Sequence, residues 1–353
     1  MSIKLSVGDM IIYLLLTNIF KGLSVKNDVT WIHNVRAAGC VMVVLLHVCA
    51  LFESRFGAIP LHDWIAVTIG NSLTRASVPM FFMVSGFLFL SVTEVKLKNI
   101  FRLVTALIFY SLIYSVYAHY QYDKPLFESI TSIYKEPVFY HLWFFYYLII
   151  CYALMFFVKS KVTYGIKHLA VMSFIFTFLS VKMNDLTSMF GIHYQSISLI
   201  NSGMLLFIFY CVAGAVVASI EYRKSYYYIC LITIILSVAA LTILTYYASL
   251  EKGKYNSIFE VEASIPVYYC SIAMFYILRH TEFDGLSQRV INVLSSSSLV
   301  MYGLHVLFVD SFKFERLELN PIKDMFTTTA SVVVICVLLA FIIKKIDKRG
   351  YVS

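Results

Sequence analysis

The chain has 353 residues, of which 60% are hydrophobic and only 14% charged, and it carries a formal net charge of +8. A soluble domain is about half apolar and about a quarter charged, so this composition excludes an ordinary water-soluble fold. The lysines and arginines gather in alternate connections between apolar stretches, so the positive balance does not signal a nucleic-acid partner.

Residues 1–30 hold an apolar run, Met10 to Phe20, that is too short to cross a bilayer. An interfacial helix or an N-terminal extension is expected there, and no small-residue cleavage site follows it. Ten apolar stretches come next: 34–52, 64–91, 101–119, 138–158, 166–182, 200–219, 226–249, 263–279, 296–312 and 325–343. Crossing a membrane takes about 20 apolar residues in a helix, and the alternating segments of a membrane barrel are missing. The expected fold is therefore all-α, a polytopic integral membrane protein of about ten transmembrane helices. Residues 31–349 form one transmembrane domain, and 350–353 are the end of a tail.

The connections alternate in charge. One set holds Lys96, Lys98 and Arg102, then Lys159, Lys161 and Lys167, then Arg223 and Lys224, and finally Lys344, Lys345, Lys348 and Arg349. The other set holds Glu53 and Asp63, then Asp123, Glu128 and Glu136, then Glu251, Glu260 and Glu262, then Glu315, Glu318 and Asp324. By the positive-inside rule the first set is cytoplasmic, and both termini lie with it. The seven cysteines all fall inside apolar stretches without a Cys-x-x-Cys pair. They read as small buried hydrophobes and imply neither disulfides nor a metal site.

The first stretch pairs Arg36 with His47 eleven residues later. Eleven residues make almost three helical turns, which puts both on one face, roughly 16 Å apart along the axis. An arginine at a helix start can be a simple anchor that snorkels to the headgroups. His47 lies well past the interface. An ionisable group at that depth is costly and points to function. It is either a hydrogen-bonded interhelical histidine or a general base that titrates near neutrality.

The second stretch is irregular. Pro79 interrupts it, and Asn71, Ser72, Thr74, Arg75 and Ser77 cluster just before the break. Polar, broken backbone at membrane depth is tolerated only against protein or a watery cavity, so Arg75 is expected to face a cavity. No acidic residue sits clearly at mid-membrane depth in any stretch, which makes a bound anionic ligand the simpler counter-charge for Arg75. Further along stand Tyr140, His141 and Trp143, and then Tyr302 and His305. Each is as readily an interfacial anchor or an interhelical partner as a substrate contact. No nucleophile elbow, P-loop or dinucleotide fingerprint is present, and no two histidines have the spacing of metal ligands on one helix face.

Taken together, these residues resemble the membrane acyltransferase-3 family of integral membrane O-acyltransferases, over roughly residues 31 to 349. Four anchors carry the resemblance. They are the Arg36-x10-His47 pair, the run Ser72 to Pro79 continuing into Phe81-Phe-Met-Val-Ser85-Gly86, the segment Phe139-Tyr-His141-Leu-Trp143-Phe-Phe, and Tyr302-Gly-Leu-His305. The run Lys135-Glu-Pro-Val-Phe-Tyr-His-Leu-Trp-Phe-Phe and the closing Ile346 to Ser353 are most similar to the branch that O-acetylates the enterobacterial common antigen. Related O-antigen and capsule acetylases share much of this pattern.

The resemblance implies acetyl-CoA as cytoplasmic donor, no permanently bound cofactor, and a lipid-linked or polymeric glycan as acceptor, in a bacterial inner membrane. It also implies roles. Arg36 pairs with the CoA phosphates, His47 is the general base with His305 as the next candidate, and Arg75 holds the oxyanion or a donor phosphate. His141, Trp143, Tyr140 and Tyr302 would meet the acceptor. The competing class is a transporter or flippase for a glycan or a small anionic solute. Against it stand the missing internal repeat, the lack of acidic residues within the stretches, and the four anchors.

Overall fold

The structure is a computed structural model that describes residues 29–158, 164–192, 203–312 and 320–353. The expected N-terminal helix at Met10 to Phe20 lies outside the described residues. Among those described, the chain is all-helical with no β-strand. In chain order the helices are α1 (Ile32–Glu53), α2 (Leu61–Thr74), α3 (Ser77–Phe87), α4 (Leu97–Tyr122), α5 (Leu126–Thr131), α6 (Trp143–Phe157) and α7 (Ile166–Leu179). They continue as α8 (Lys182–Met189), α9 (Met204–Ala218), α10 (Lys224–Lys252), α11 (Ile265–Arg279), α12 (Gly285–Ser296), α13 (Ser298–Ser311) and α14 (Pro321–Ile346).

Each of the ten apolar stretches falls on a helix. Among the described residues, six helical segments are long and apolar enough by themselves to span a membrane, or seven if α12 and α13, bent by 72° against each other, count as one. The other apolar helices are shorter. Helices α7, α9 and α11 have 14, 15 and 15 residues, which at about 1.5 Å per residue falls short of a hydrocarbon core of about 30 Å. The outer surface is apolar where lipid would lie: Ile232, Ile235 and Leu236 of α10 and Val334, Leu338 and Ile342 of α14 are exposed. This is a multi-pass membrane protein.

Helix α1 is the hub of the bundle. It packs against α2, α3, α11, α12, α13 and α14, so the residues it carries lie at the centre of the molecule. The tightest pair is α3 with α9. A Cβ on Gly86 would sit 1.8 Å from the Cys211 carbonyl oxygen, and one on Gly214 would sit 2.0 Å from that of Met83. Two glycines facing two backbones allow this approach, the usual route to close helix contact in lipid.

The break expected near Pro79 is present. Helix α2 ends at Thr74 and α3 begins at Ser77, leaving Arg75 and Ala76 between them. Pro79 stands in the first turn of α3, where its missing N–H costs nothing. The break therefore lies just before the proline, at Arg75 and Ala76, whose backbone stays in the right-handed helical region.

Candidate active site

The spacing of Arg36 and His47 puts them on one helix face. Both lie on α1, Arg36 at a cavity and His47 in a cluster of rings beyond it. The cavity measures about 370 Å³, within the usual size for a small-molecule site. Arg36, Arg102, Asn99, Ser85, Tyr152 and Ser298 supply its polar lining, and no carboxylate lines it. The Tyr152 hydroxyl and Ser85 Oγ are 3.3 Å apart. Two guanidinium groups in a lining without a carboxylate make a site for an anion, and the planar fork of arginine suits phosphate oxygens. In the sequence Arg102 reads only as a loop charge. Its helix, α4, turns it back toward Arg36. Its Nη2 also donates to the Ser353 carbonyl at 2.8 Å, and Tyr110 Oη donates to the Val352 carbonyl at 2.6 Å, so the last residues fold against this end of α4.

The second compartment holds three imidazoles. The His47 ring lies 5.0 Å from that of His305 and 5.4 Å from that of Tyr140, centroid to centroid. The His141 ring lies 5.4 Å from that of His305. Three separate segments, α1, the short turn before α6, and α13, thus converge. Gly303 makes this possible: a Cβ there would lie 2.3 Å from the Tyr110 ring, so α13 approaches α4 closely. Tyr302 lines the cavity and stands 5.9 Å from both His141 and His305, so its ring forms part of the wall between the compartments. Its hydroxyl donates to the His141 carbonyl, fixing the wall to the turn.

His305 is prepared as an acceptor. Its Nδ1 lies 3.0 Å from the Met301 carbonyl and 2.9 Å from that of Tyr302. Carbonyls only accept, so the proton is on Nδ1 and the lone pair on Nε2. Nε2 is buried with no partner. Buried polar atoms are nearly always paired, so an orphan at a cluster of this kind points to a functional use. His305 is 0% exposed, whereas His47 is only half-buried. His47 is therefore the imidazole that an incoming molecule meets first. Among the described residues no group of three or more His, Cys, Asp or Glu is placed to hold a metal ion.

Four of the eight residues singled out in the sequence, His47, His141, His305 and Tyr140, meet in this compartment, with Tyr302 as its wall. Arg36 stands in the cavity beyond that wall. Trp143 is turned elsewhere, its ring 5.8 Å from Tyr147 and 5.3 Å from Phe207.

Arg75 requires a correction. Its counter-charge is internal: Nη2 contacts Glu260 Oε2 at 2.7 Å. Glu260 comes from the connection between α10 and α11, which folds inward and leaves the residue 2% exposed. Glu53, which the charge pattern places in an outer loop, is the last residue of α1 and is 0% exposed. That pattern assigned both acids to solvent because it cannot show a loop turning into the bundle. Glu53 is thus a buried acid at the very end of a span. Arg75 does not line the cavity, although its charge lies within electrostatic range of His47.

A third feature has no counterpart among the sequence expectations. Asp310 Oδ2 accepts from the Tyr117 hydroxyl at 2.6 Å and from that of Tyr122. These tyrosines continue through Phe139 to Tyr140, which is 55% exposed and touches His47. An aromatic face with a carboxylate thus adjoins the histidines away from the arginine cavity.

The family comparison decides among the chemistries open to this arrangement. A model of an acyltransferase domain matches residues 29–345, nearly the whole chain. The chain belongs to this acyltransferase family. No match was found among curated proteins or solved structures. For an acyltransferase, a cationic cavity beside imidazoles with a free lone pair is a coherent site. One compartment can hold a phosphorylated donor, and the other can move a proton.

Proposed function

We propose that this acyltransferase is an O-acetyltransferase that carries acetyl from acetyl-CoA to a hydroxyl of a cell-surface polysaccharide or its lipid-linked precursor. The observation that carries the reading is the pairing of Arg36 and Arg102 in a carboxylate-free cavity whose wall residue, Tyr302, abuts His305. Phosphates of the donor would pair with the two arginines, and the pantetheine arm would run along α1 toward His47. The distance to cover, roughly 16 Å along the helix axis, suits a long thioester and not a small acyl phosphate.

In this reading His47 removes the proton from the acceptor hydroxyl as that oxygen attacks the thioester carbon. A C–O bond forms, the tetrahedral intermediate collapses, the C–S bond breaks, and the thiolate takes the proton back from the imidazolium. The orphan Nε2 of His305 would accept an N–H from protonated His47 and steady its charge, much as a carboxylate does in a hydrolase triad. The acceptor would approach over Tyr140 and the Asp310 tyrosines, since aromatic faces and carboxylates suit sugar rings and their hydroxyls. The resemblance of the 135–145 and 346–353 segments favours the enterobacterial common antigen as acceptor. A bacterial inner membrane with both termini cytoplasmic goes with that choice.

The test is transfer of isotope-labelled acetyl from acetyl-CoA in membranes supplied with candidate glycans, read as labelled glycan and free thiol. Label on glycan that disappears with His47→Ala supports the reading. Intact thioester with folded protein and several acceptors overturns it and favours a transporter.

A further inference from the structure

Arg75, Glu260, Glu53, Asn71 and Tyr255 form one buried network beside the histidines. Asn71 Nδ2 donates to Glu260 Oε2 at 3.0 Å and also to Glu53 Oε2. The Tyr255 hydroxyl reaches both carboxyl groups, 3.2 Å from Glu53 Oε2 and closer to Glu260 Oε2. Both Oε2 atoms face the same two donors, Asn71 Nδ2 and Tyr255 Oη, so the two carboxyl groups are held side by side. Two ionised carboxylates so placed repel, and a proton on one of them removes the repulsion. One guanidinium likewise balances one negative charge. A second buried anion here would be unpaired, which costs several kcal/mol in general. Carboxyl pairs that crowd one site share a proton for this reason.

The network leaves Arg75 partly unused. Glu260 takes Nη2, while the buried Nε has no partner. The side chain is 18% exposed, so it is not sealed from the bundle interior. A guanidinium already neutralised by a carboxylate is a poor competitor for a donor phosphate. Rigidly held, with N–H groups to spare, it suits the transient negative oxygen of a tetrahedral intermediate.

We propose that Glu260 is a positioning residue that fixes Arg75 to receive the oxyanion, and that Glu53 holds the proton that keeps this network at one negative charge. Glu53 lies on the same helix as His47, so the two ends of the reaction centre are built on one element. The inference about Arg75 rests on the acyl-transfer reading. The inference about the proton does not.

The experiment therefore has two arms on the full chain in lipid nanodiscs. Infrared spectroscopy at neutral pH looks for the C=O stretch of a protonated carboxylic acid in wild type, Glu53→Gln and Glu260→Gln. A band present in wild type and lost in Glu53→Gln supports the shared proton. No such band in wild type, or a band unchanged by Glu53→Gln, overturns it. The second arm measures thiol release and acetyl transfer from acetyl-CoA. Glu260→Gln is expected to lower kcat about a hundredfold with KM for acetyl-CoA little changed. Glu53→Gln, a neutral amide in place of a neutral acid, should lose less than about tenfold. A raised KM with kcat kept in Glu260→Gln overturns the positioning role and makes Arg75 a donor ligand. Equal losses in both variants, with thermal unfolding matching wild type, overturn the division of labour. Should Glu260→Gln fail to fold, Arg75→Lys replaces it in the second arm: a loss confined to kcat supports the proposal, and one confined to KM overturns it. If wild type shows no transfer at all, the acyl-transfer reading fails while the infrared result still decides the proton.

Discussion

The imidazole rings of His47 and His305 stand 5.0 Å apart, although they come from the first and the thirteenth helices. Neither makes sense as a solitary group. His305 has a fixed tautomer and a buried free lone pair, and His47 has the access to substrate that His305 lacks. We expect His47→Ala and His305→Ala each to lower kcat by about 10²- to 10⁴-fold. The double variant should be little worse than the weaker single, because groups acting as a unit are not additive. Steady-state kinetics on the three variants checks this, and full additivity would separate their roles.

The two cavity arginines should behave differently from the histidines. Arg36→Ala and Arg102→Ala are each expected to raise KM for acetyl-CoA by about ten- to a hundredfold, the usual worth of a hydrogen bond to a charged group. The effect should shrink when acetyl-pantetheine, which lacks the nucleotide phosphates, is the donor. Comparing the two donors on each variant makes the measurement.

Packing gives a prediction that is independent of activity. Gly214→Ala puts a Cβ 2.0 Å from the Met83 carbonyl oxygen, where the neighbour is backbone and cannot swing aside. Overpacking of this kind typically costs about 1–3 kcal/mol. The variant should unfold at a clearly lower temperature in detergent. Gly203→Ala meets nothing within 4 Å and should melt with the wild type.

Asp347 closes the fold at its far end. Its carboxylate accepts from the amides of Tyr351 at 3.0 Å, Val352 at 2.7 Å and Ser353 at 3.0 Å, and from the Ser353 hydroxyl at 3.0 Å. Partial burial pushes its pKa up, but the four donors outweigh this and hold it below the ordinary carboxylate range. A depressed native value means the tail contact is fully present above the ordinary carboxylate pKa and is lost as pH falls through the lower native one. Amide exchange at Tyr351 to Ser353, corrected for intrinsic rates, should show that loss on acidification. Asp347→Asn should already show it at neutral pH.

Much of this molecule can be read from its chain. Apolar runs located most helices of the bundle, though not α12, and the polar cluster before Pro79 located the break. The Arg36–His47 spacing identified the central helix, because an ionisable pair in register on an apolar segment is too costly to be incidental. What could not be read was how segments distant in the chain come together. The apolar pattern counts stretches but does not say how long each helix is, so ten stretches hold six or seven candidate spans among the described residues. Arg102 sits next to Lys96 and Lys98 and is indistinguishable from a topological charge until α4 turns it toward Arg36. Glu260 sits between acids in a polar connection, and nothing local reveals that it folds in to meet Arg75. Asp310 gives no local signal, because the two α4 tyrosines that give it meaning lie far upstream.

Arg36, His47 and Glu53 ride on a single unbroken helix held on all sides by neighbours. Their spacing is thus a fixed length, and side-chain changes in the surrounding walls cannot alter it. A helix of this kind also cannot turn at one end alone. Any twist or slide that repositions Arg36 must carry the imidazole and the carboxyl with it, like teeth cut in one shaft. Inserting a single residue between Arg36 and His47 would swing them about 100° out of line. The length of α1 between Arg36 and Glu53 should therefore stay constant while the side chains around it vary.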